Sequence, residues 1–165
     1  MKVLIEDEFA GIDLAGYEAL YFDEPFNIAV GEALQMGRRL VKIERGAERI
    51  VRHVAYEPRR EPETDAAKAF GTSRASFVEE LDYDLRTHVG EWRTIPNMMP
   101  DRVKNTGTIA ITPTAAGVKR TVRSDVTIKL FGFGGLIERA VTGEIVRSYT
   151  KTTDFTRAWI AKLPR

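Results

Sequence analysis

One stretch restricts this chain more than any other. From Gly135 to Leu163 the residues that avoid charge fall on a single stripe of period 3.6, which is the signature of an amphipathic helix. Ile137, Val141, Ile145, Tyr149, Thr152, Thr156, Trp159 and Leu163 make that stripe. A helix over residues 136–162 would be about 40 Å long. The chain has 165 residues, and a domain of that size has a radius of gyration of only about 15 Å. The helix therefore has to cross the whole molecule, and its stripe needs a long apolar surface to lie on.

The preceding residues supply such a surface. Over 117–130 the side chains alternate: Val118, Val122, Val126, Ile128 and Leu130 face one way, and Lys119, Thr121, Arg123, Asp125 and Lys129 face the other. Upstream, residues 2–9 (KVLIEDEF) read as a first strand ended by Gly11. Asp13 is an N-cap for a short helix through Leu20, and Asp23 caps a second whose first turn holds Glu24 and Pro25. Phe26, Val30 and Leu34 give that second helix one apolar face, and Gly37 is expected to close the helical pair. Strands follow at 37–45 and 48–58 about a Gly46 turn, then at 76–87, 91–96 and 102–113. The expectation is one α+β domain over residues 1–165: seven antiparallel strands, two short helices after the first, and the long C-terminal helix as the only element able to cover the sheet. The connection 59–75, with Pro62, Gly71 and a helical piece at 65–70, is long enough to expect a lid or binding element.

Composition removes whole classes of function. Hydrophobic residues at 43% and charged residues at 30% describe a folded domain and not a disordered one. With no Cys there is no disulfide, thiolate zinc site, iron–sulfur cluster or cysteine nucleophile, and His53 and His88 are too few for an all-histidine metal site. A net charge of +1 argues against nucleic acid as a partner. The start, MKVLIEDEFAG, meets acids where a signal peptide would be apolar, and no window approaches the ~18 apolar residues of a membrane span. A cytoplasmic location is expected. Charge is uneven: residues 1–115 carry 15 Lys/Arg against 20 Asp/Glu, and residues 116–165 carry 10 against 4. Two readings of that asymmetry stand: solvated faces that offset one another, or a basic C-terminal region in transient contact with an anionic membrane.

Catalytic motifs are missing. Gly-rich GFGG at 132–135 precedes a helix but lacks the Lys-Ser/Thr of a phosphate loop, so it reads as a hinge. There is no GxSxG and no HExxH. Glu79, Glu80, Asp82 and Asp84 share one strand, whereas metal ligands converge from several elements. Neither metal nor cofactor is expected, and no catalytic residue is assigned.

The helix stripe raises a question of its own. Its first third is apolar, but its middle carries Ser148, Tyr149, Thr152 and Thr156 on the face that should meet the sheet. A buried hydroxyl without a partner costs about 1–3 kcal/mol. Either these groups line a cavity, or they bond back to their own helix's carbonyls. On the sheet, the inward register of 77–87 would be Phe77, Glu79, Leu81, Tyr83, Leu85 and Thr87, and Arg120 and Ser124 fall in phase with Val122 and Val126. Glu79 and Arg120 are then inward charges: polar anchors for a ligand, partners of each other at a cavity mouth, or a plain rim ion pair. His53 fits either face, and Trp92 reads as packing.

The opening KVLIEDEFAGIDLAGYEALYFDEPF, the run ending TVRSDVTIKLFG and the tail GGLIERAVTGEIVRSYTKTTDFTRAWI together resemble the START-like superfamily, also called SRPBCC, of helix-grip and pollen-allergen-like proteins. The chain looks close to a bacterial START-like family without an assigned function. The resemblance implies a curved sheet gripping the C-terminal helix, with a cavity between them for an apolar or lipid-like small molecule. Its walls would be Tyr56, Leu81, Tyr83, Leu85, Ile109, Arg120, Val122 and Val126 from the sheet, and Ile145, Ser148, Tyr149, Thr152 and Thr156 from the helix. Three functions follow: binding, transport or sensing of such a ligand without catalysis; a polyketide cyclase or dehydratase using Tyr83, Arg120 or Glu79; or an adaptor docking on a membrane or protein.

Overall fold

A computed structural model describes residues 1–59, 76–129, 132 and 134–164, and among them the alternating segments form seven strands. These are β1 (Lys2–Ala10), β2 (Met36–Arg45), β3 (Arg49–Pro58), β4 (Phe77–Asp84), β5 (Val89–Pro96), β6 (Val103–Pro113) and β7 (Gly117–Ile128). They make one antiparallel sheet in the order β1-β7-β6-β5-β4-β3-β2. The first two strands in sequence thus lie at opposite edges. Helices α1 (Leu14–Tyr21) and α2 (Glu24–Ala33) carry the chain between them, and α3 (Gly134–Ile160) is the long C-terminal cover.

The caps form where the sequence places them. Asp13 Oδ1 accepts from the Gly16 amide at 2.7 Å, and Asp23 Oδ2 accepts from the Phe26 amide at 2.8 Å. Each satisfies a backbone donor that a helix start leaves open. The end of α2 differs from expectation. The chain turns at Gln35, whose φ is 52°, and Gly37 lies buried inside β2. A side chain at Gly37 would press on the Glu57 carbonyl oxygen at 3.1 Å, so glycine is needed there for close strand packing rather than as a helix stop.

Cross-strand pairing arranges the covered face in rows. One row runs Ile50, Tyr83, Gly90, Ile109, Val122, Ile5. The next runs Arg52, Leu81, Trp92, Gly107, Ser124, Val3, and the third runs Val54, Glu79, Thr94, Asn105, Val126. The chemistry changes from apolar to polar across three rows of one sheet. Two glycines make room for the large rings: a Cβ at Gly90 would sit 2.9 Å from Tyr83 Cδ2, and one at Gly107 2.4 Å from Trp92 Cζ2.

β4 stops three residues short of expectation. The Asp84 carboxylate accepts from the Arg86 and Thr87 amides at 2.7 and 3.3 Å, which ends the strand in a turn. Leu85 and Thr87 therefore leave the inward register, and His88 adopts a φ of 58°. At the other end of the chain α3 finishes at Ile160, leaving Leu163 exposed beyond the last turn. The alternation expected over 117–130 closes at Ile128; Leu130 lies outside the described residues, as does most of the connection 59–75 with its helical piece at 65–70.

Among the described residues two apolar clusters result. The larger joins Phe9, Tyr17, Phe22, Phe26, Tyr83, Ile109 and Val122 with Ile160, under α1, α2 and the end of α3. The smaller joins Val126, Ile128 and Ile137, with Val103, Val141 and Ile145 against it, under the start of α3. At about 1.5–3 kcal/mol for each large apolar side chain withdrawn from water, the larger cluster carries most of the hydrophobic stabilisation.

Candidate ligand pocket

Between the two clusters the sheet and α3 do not touch throughout, and a pocket of about 430 Å³ lies there. Its apolar end is built by Val103, Val126, Ile137, Val141 and Ile145. Its other end lies over β2, β3 and β4 and is lined by Arg38, Arg52, Tyr56, Phe77 and Glu79, with Trp92 and Arg120 further along the sheet. The rings of Tyr56 and Phe77 pack with centroids 5.2 Å apart. Burial pushes the Tyr56 hydroxyl up to about 12, so it stays a neutral phenol at ordinary pH.

Three guanidiniums face this space, each almost wholly buried, with 3–4% of the side chain exposed. Arg120 is held most completely: its Nη2 donates to Asp7 Oδ2 at 2.6 Å and to Thr153 Oγ1 at 2.8 Å, between the rings of Phe9 and Tyr149. Arg52 donates Nη1 to the Tyr21 carbonyl at 3.0 Å and lies over the Tyr21 ring, while its Nη2 remains 3.8 Å from Glu79 Oε1. Arg38 donates Nη1 to Glu24. Several donors are left over. Arg38 Nε and Nη2, Arg52 Nε, Arg120 Nε and Trp92 Nε1 are buried without a hydrogen-bond partner among the described residues. Glu79 sits among these cations with a carboxyl raised from its ordinary value, because burial outweighs the lowering by Arg52 and Arg38.

The structure distributes the expected wall residues in two ways. Tyr56, Glu79, Arg120, Val126, Ile145, Ser148, Tyr149 and Thr152 line the pocket. Leu81, Tyr83, Ile109 and Val122 are absent from that lining and are packed in the larger cluster, where α1 and α2 cover the sheet; Leu85 packs against them from the turn. Thr156 is buried near the end of α3. Two of the four helix hydroxyls take the self-bonding option, Thr152 donating to the Ser148 carbonyl at 2.8 Å and Thr156 to the Thr152 carbonyl at 2.7 Å, while Ser148 and Tyr149 line the pocket. The pocket therefore exists beside satisfied threonines, and their presence was not its cause.

Glu79 and Arg120 do not pair with each other, because β5 and β6 stand between their strands. Each has its own partner, Arg52 and Asp7. Tyr83 is removed from the pocket by its hydroxyl, which donates to Glu18 Oε1 at 2.6 Å; the same oxygen lies 2.7 Å from His88 Nδ1 and fixes α1 to the β4–β5 turn. His53 faces outward, 3.9 Å from Glu80. Sequence reasoning missed Arg38, Arg52, Asn105 and the indole N–H of Trp92. Arg52 was findable, since it alternates with Ile50 and Val54, both of them buried.

A sheet folded onto one long helix over a part-apolar, donor-rich hollow defines a helix-grip type of domain. The model of the family described as "Protein of unknown function (DUF2505)" matches residues 12–160, and the chain belongs to that family. None of the curated proteins matches it. Among solved structures it is similar to TTHA0849 from Thermus thermophilus, at 16% identity and a TM-score of 0.63 over 99% of this chain and 100% of that one. It is similar to Ms6760 from Mycobacterium smegmatis at 11% identity and a TM-score of 0.62, covering 99% of this chain and 93% of that one. The di-domain ARO/CYC StfQ from the steffimycin biosynthetic pathway matches at 17% identity and a TM-score of 0.62, over 98% of this chain and 51% of that one. At such identities the likeness is one of fold. Among the described residues no helix is long and apolar enough to cross a membrane.

Proposed function

We propose that this chain is a START-like binding protein for an apolar, lipid-like small molecule, held between the sheet and α3. The observation that supports this reading most is the pocket itself. Its volume of about 430 Å³ falls in the range of small-molecule sites, and apolar side chains with a few polar groups are what such sites use. The enzymatic reading draws only on fold likeness to an ARO/CYC protein. Its proposed acid–base groups do not share one space: Tyr83 is bonded to Glu18 outside the lining, whereas Glu79 and Arg120 are inside it. Binding without chemistry is therefore preferred.

Native mass spectrometry of gently purified protein tests the reading, with the denatured mass as reference. The expected result is added mass that leaves on denaturation and is recovered in an organic extract. Ile145→Trp, which places an indole in the pocket, should abolish that added mass while the protein stays folded. Retention of the same ligand by Ile145→Trp would place its site elsewhere.

A further inference from the structure

The buried side-chain polar atoms of the pocket lining that have no hydrogen-bond partner among the described residues are all donors. Arg38 Nε and Nη2, Arg52 Nε, Arg120 Nε and Trp92 Nε1 are nitrogens that carry hydrogen, and their side chains all line the same space. A buried donor left open is costly, and more so on a charged group. Two acceptors near this space are already engaged: Asn105 Oδ1 accepts from Ser124 Oγ at 2.8 Å, and Asp7 accepts from Arg120. Glu79 is nearby, but at 3.8 Å it is beyond hydrogen-bond reach of Arg52. The opposite end of the pocket is hydrocarbon, made by Val126, Ile137 and Ile145. Arg38 and Arg52 thus stand at the β2–β4 end, Trp92 and Arg120 lie further along the sheet, and Val126, Ile137 and Ile145 close the opposite end.

Resting on the binding reading above, we infer that the ligand is an amphipathic carboxylic acid whose carboxylate lies beside Arg38 and Arg52 and whose chain runs toward Ile137 and Ile145. A carboxylate is acceptor-only and planar, and it matches the fork of a guanidinium. Arg38 supplies two unfilled donors from one such fork, and Arg52 supplies a third from the neighbouring strand. Each carboxylate oxygen then has at least one donor, and Trp92, whose indole N–H is also without a partner among the described residues, lines the same pocket. The ammonium of an equivalent amine would find three guanidiniums facing it, with Glu79 and Glu144 as the carboxylates in the lining.

Head-group preference can be read directly on the full chain by calorimetric titration with dodecanoate, dodecanol and dodecylamine. These three share a chain and differ only at the head. Dodecanoate should bind about tenfold or more tightly than dodecanol, and dodecylamine weakest of all. Arg52→Met should cut the dodecanoate affinity by about tenfold and leave dodecanol nearly unchanged. Because Arg52 also holds the Tyr21 carbonyl, Trp92→Phe serves as a variant that keeps a ring and removes the N–H; it should weaken dodecanoate severalfold. Equal affinity for all three probes, or preference for the amine, would overturn the head-group assignment while leaving an apolar pocket standing. Failure of all three to bind would overturn both the assignment and the binding reading beneath it.

Discussion

The same sheet meets its cover in two different ways at its two ends. Under α1, α2 and the last turns of α3, the row from Ile50 to Ile5 is filled, and Phe9, Tyr83, Val118 and Val122 are each at most 1% exposed. Two rows further along, at Val54 to Val126, the sheet faces a hollow with Glu79, Thr94 and Asn105 in its floor. The difference lies in how completely the covering side chains fill each end. Three helices converge on the first, with Phe26 of α2 packed 5.4 Å from Trp159 of α3. The hollow is walled by α3 residues from Ile137 to Thr152 and by Asn27 and Val30 of α2, and these side chains leave the space above the sheet open. Stability is concentrated where side chains fill the space between sheet and helices, and binding capacity where they do not.

The largest expected test of this contrast is a pair of truncations. Phe9→Ala, at the filled end, should cost about 3–5 kcal/mol, since it opens a new cavity among rings that cannot close it. Ile145→Ala, at the hollow end, should cost about 1 kcal/mol, because it only enlarges a space already present. Urea midpoints measured on both proteins check this, and equal losses would erase the distinction. Enlarging side chains should give the smaller mirror image. Val122→Phe should destabilise by about 1–3 kcal/mol through overpacking, whereas Ile145→Phe should be close to neutral and reduce ligand uptake.

The smallest effect is a dependence on pH from Glu79. Its carboxyl is raised above the ordinary 4.5 by burial, so the folded state holds the proton more tightly than the unfolded chain does. Its favourable contribution is complete below the ordinary value and is lost as pH rises through the raised one. Glu79→Gln should flatten that decline when denaturant midpoints are compared from pH 4 upward, and an unchanged slope would show that Glu79 is not the group responsible.

Element order, both N-caps and the phase of β7 could be read from the chain, because each depends on neighbours a few residues away. Asp13 and Asp23 act on amides three residues ahead, and the alternation from Val118 to Ile128 needs only a strand with one covered face. The site was less legible. The phase of β4 and β7 put Glu79, Leu81, Tyr83, Arg120 and Val122 on the covered face, but phase does not say which of them a helix will bury. Tyr83 went to the core because Glu18, 65 residues earlier, meets its hydroxyl. Glu79 and Arg120 share a phase, which suggests a pair, yet strand order separates them and supplies Arg52 and Asp7 instead. The hydroxyls of α3 divide between the two readings, since Thr152 and Thr156 bond within their own helix while Ser148, Tyr149 and Thr152 line the pocket.

By itself, then, the sequence determined what local periodicity and capping can express: seven strands, two short helices, a helix long enough to cross the molecule, and the inward phase of β7 and of most of β4. Tertiary structure alone decided where that inward face is filled and where it is open. That outcome depends on residues far apart in the chain arriving at one place, as Asp7 and Thr153 do at Arg120, or failing to arrive, as at the nitrogens of Arg38 and Arg52 that no described residue meets. Packing and hydrogen bonding act over a few ångströms of space, and no spacing along a chain encodes them.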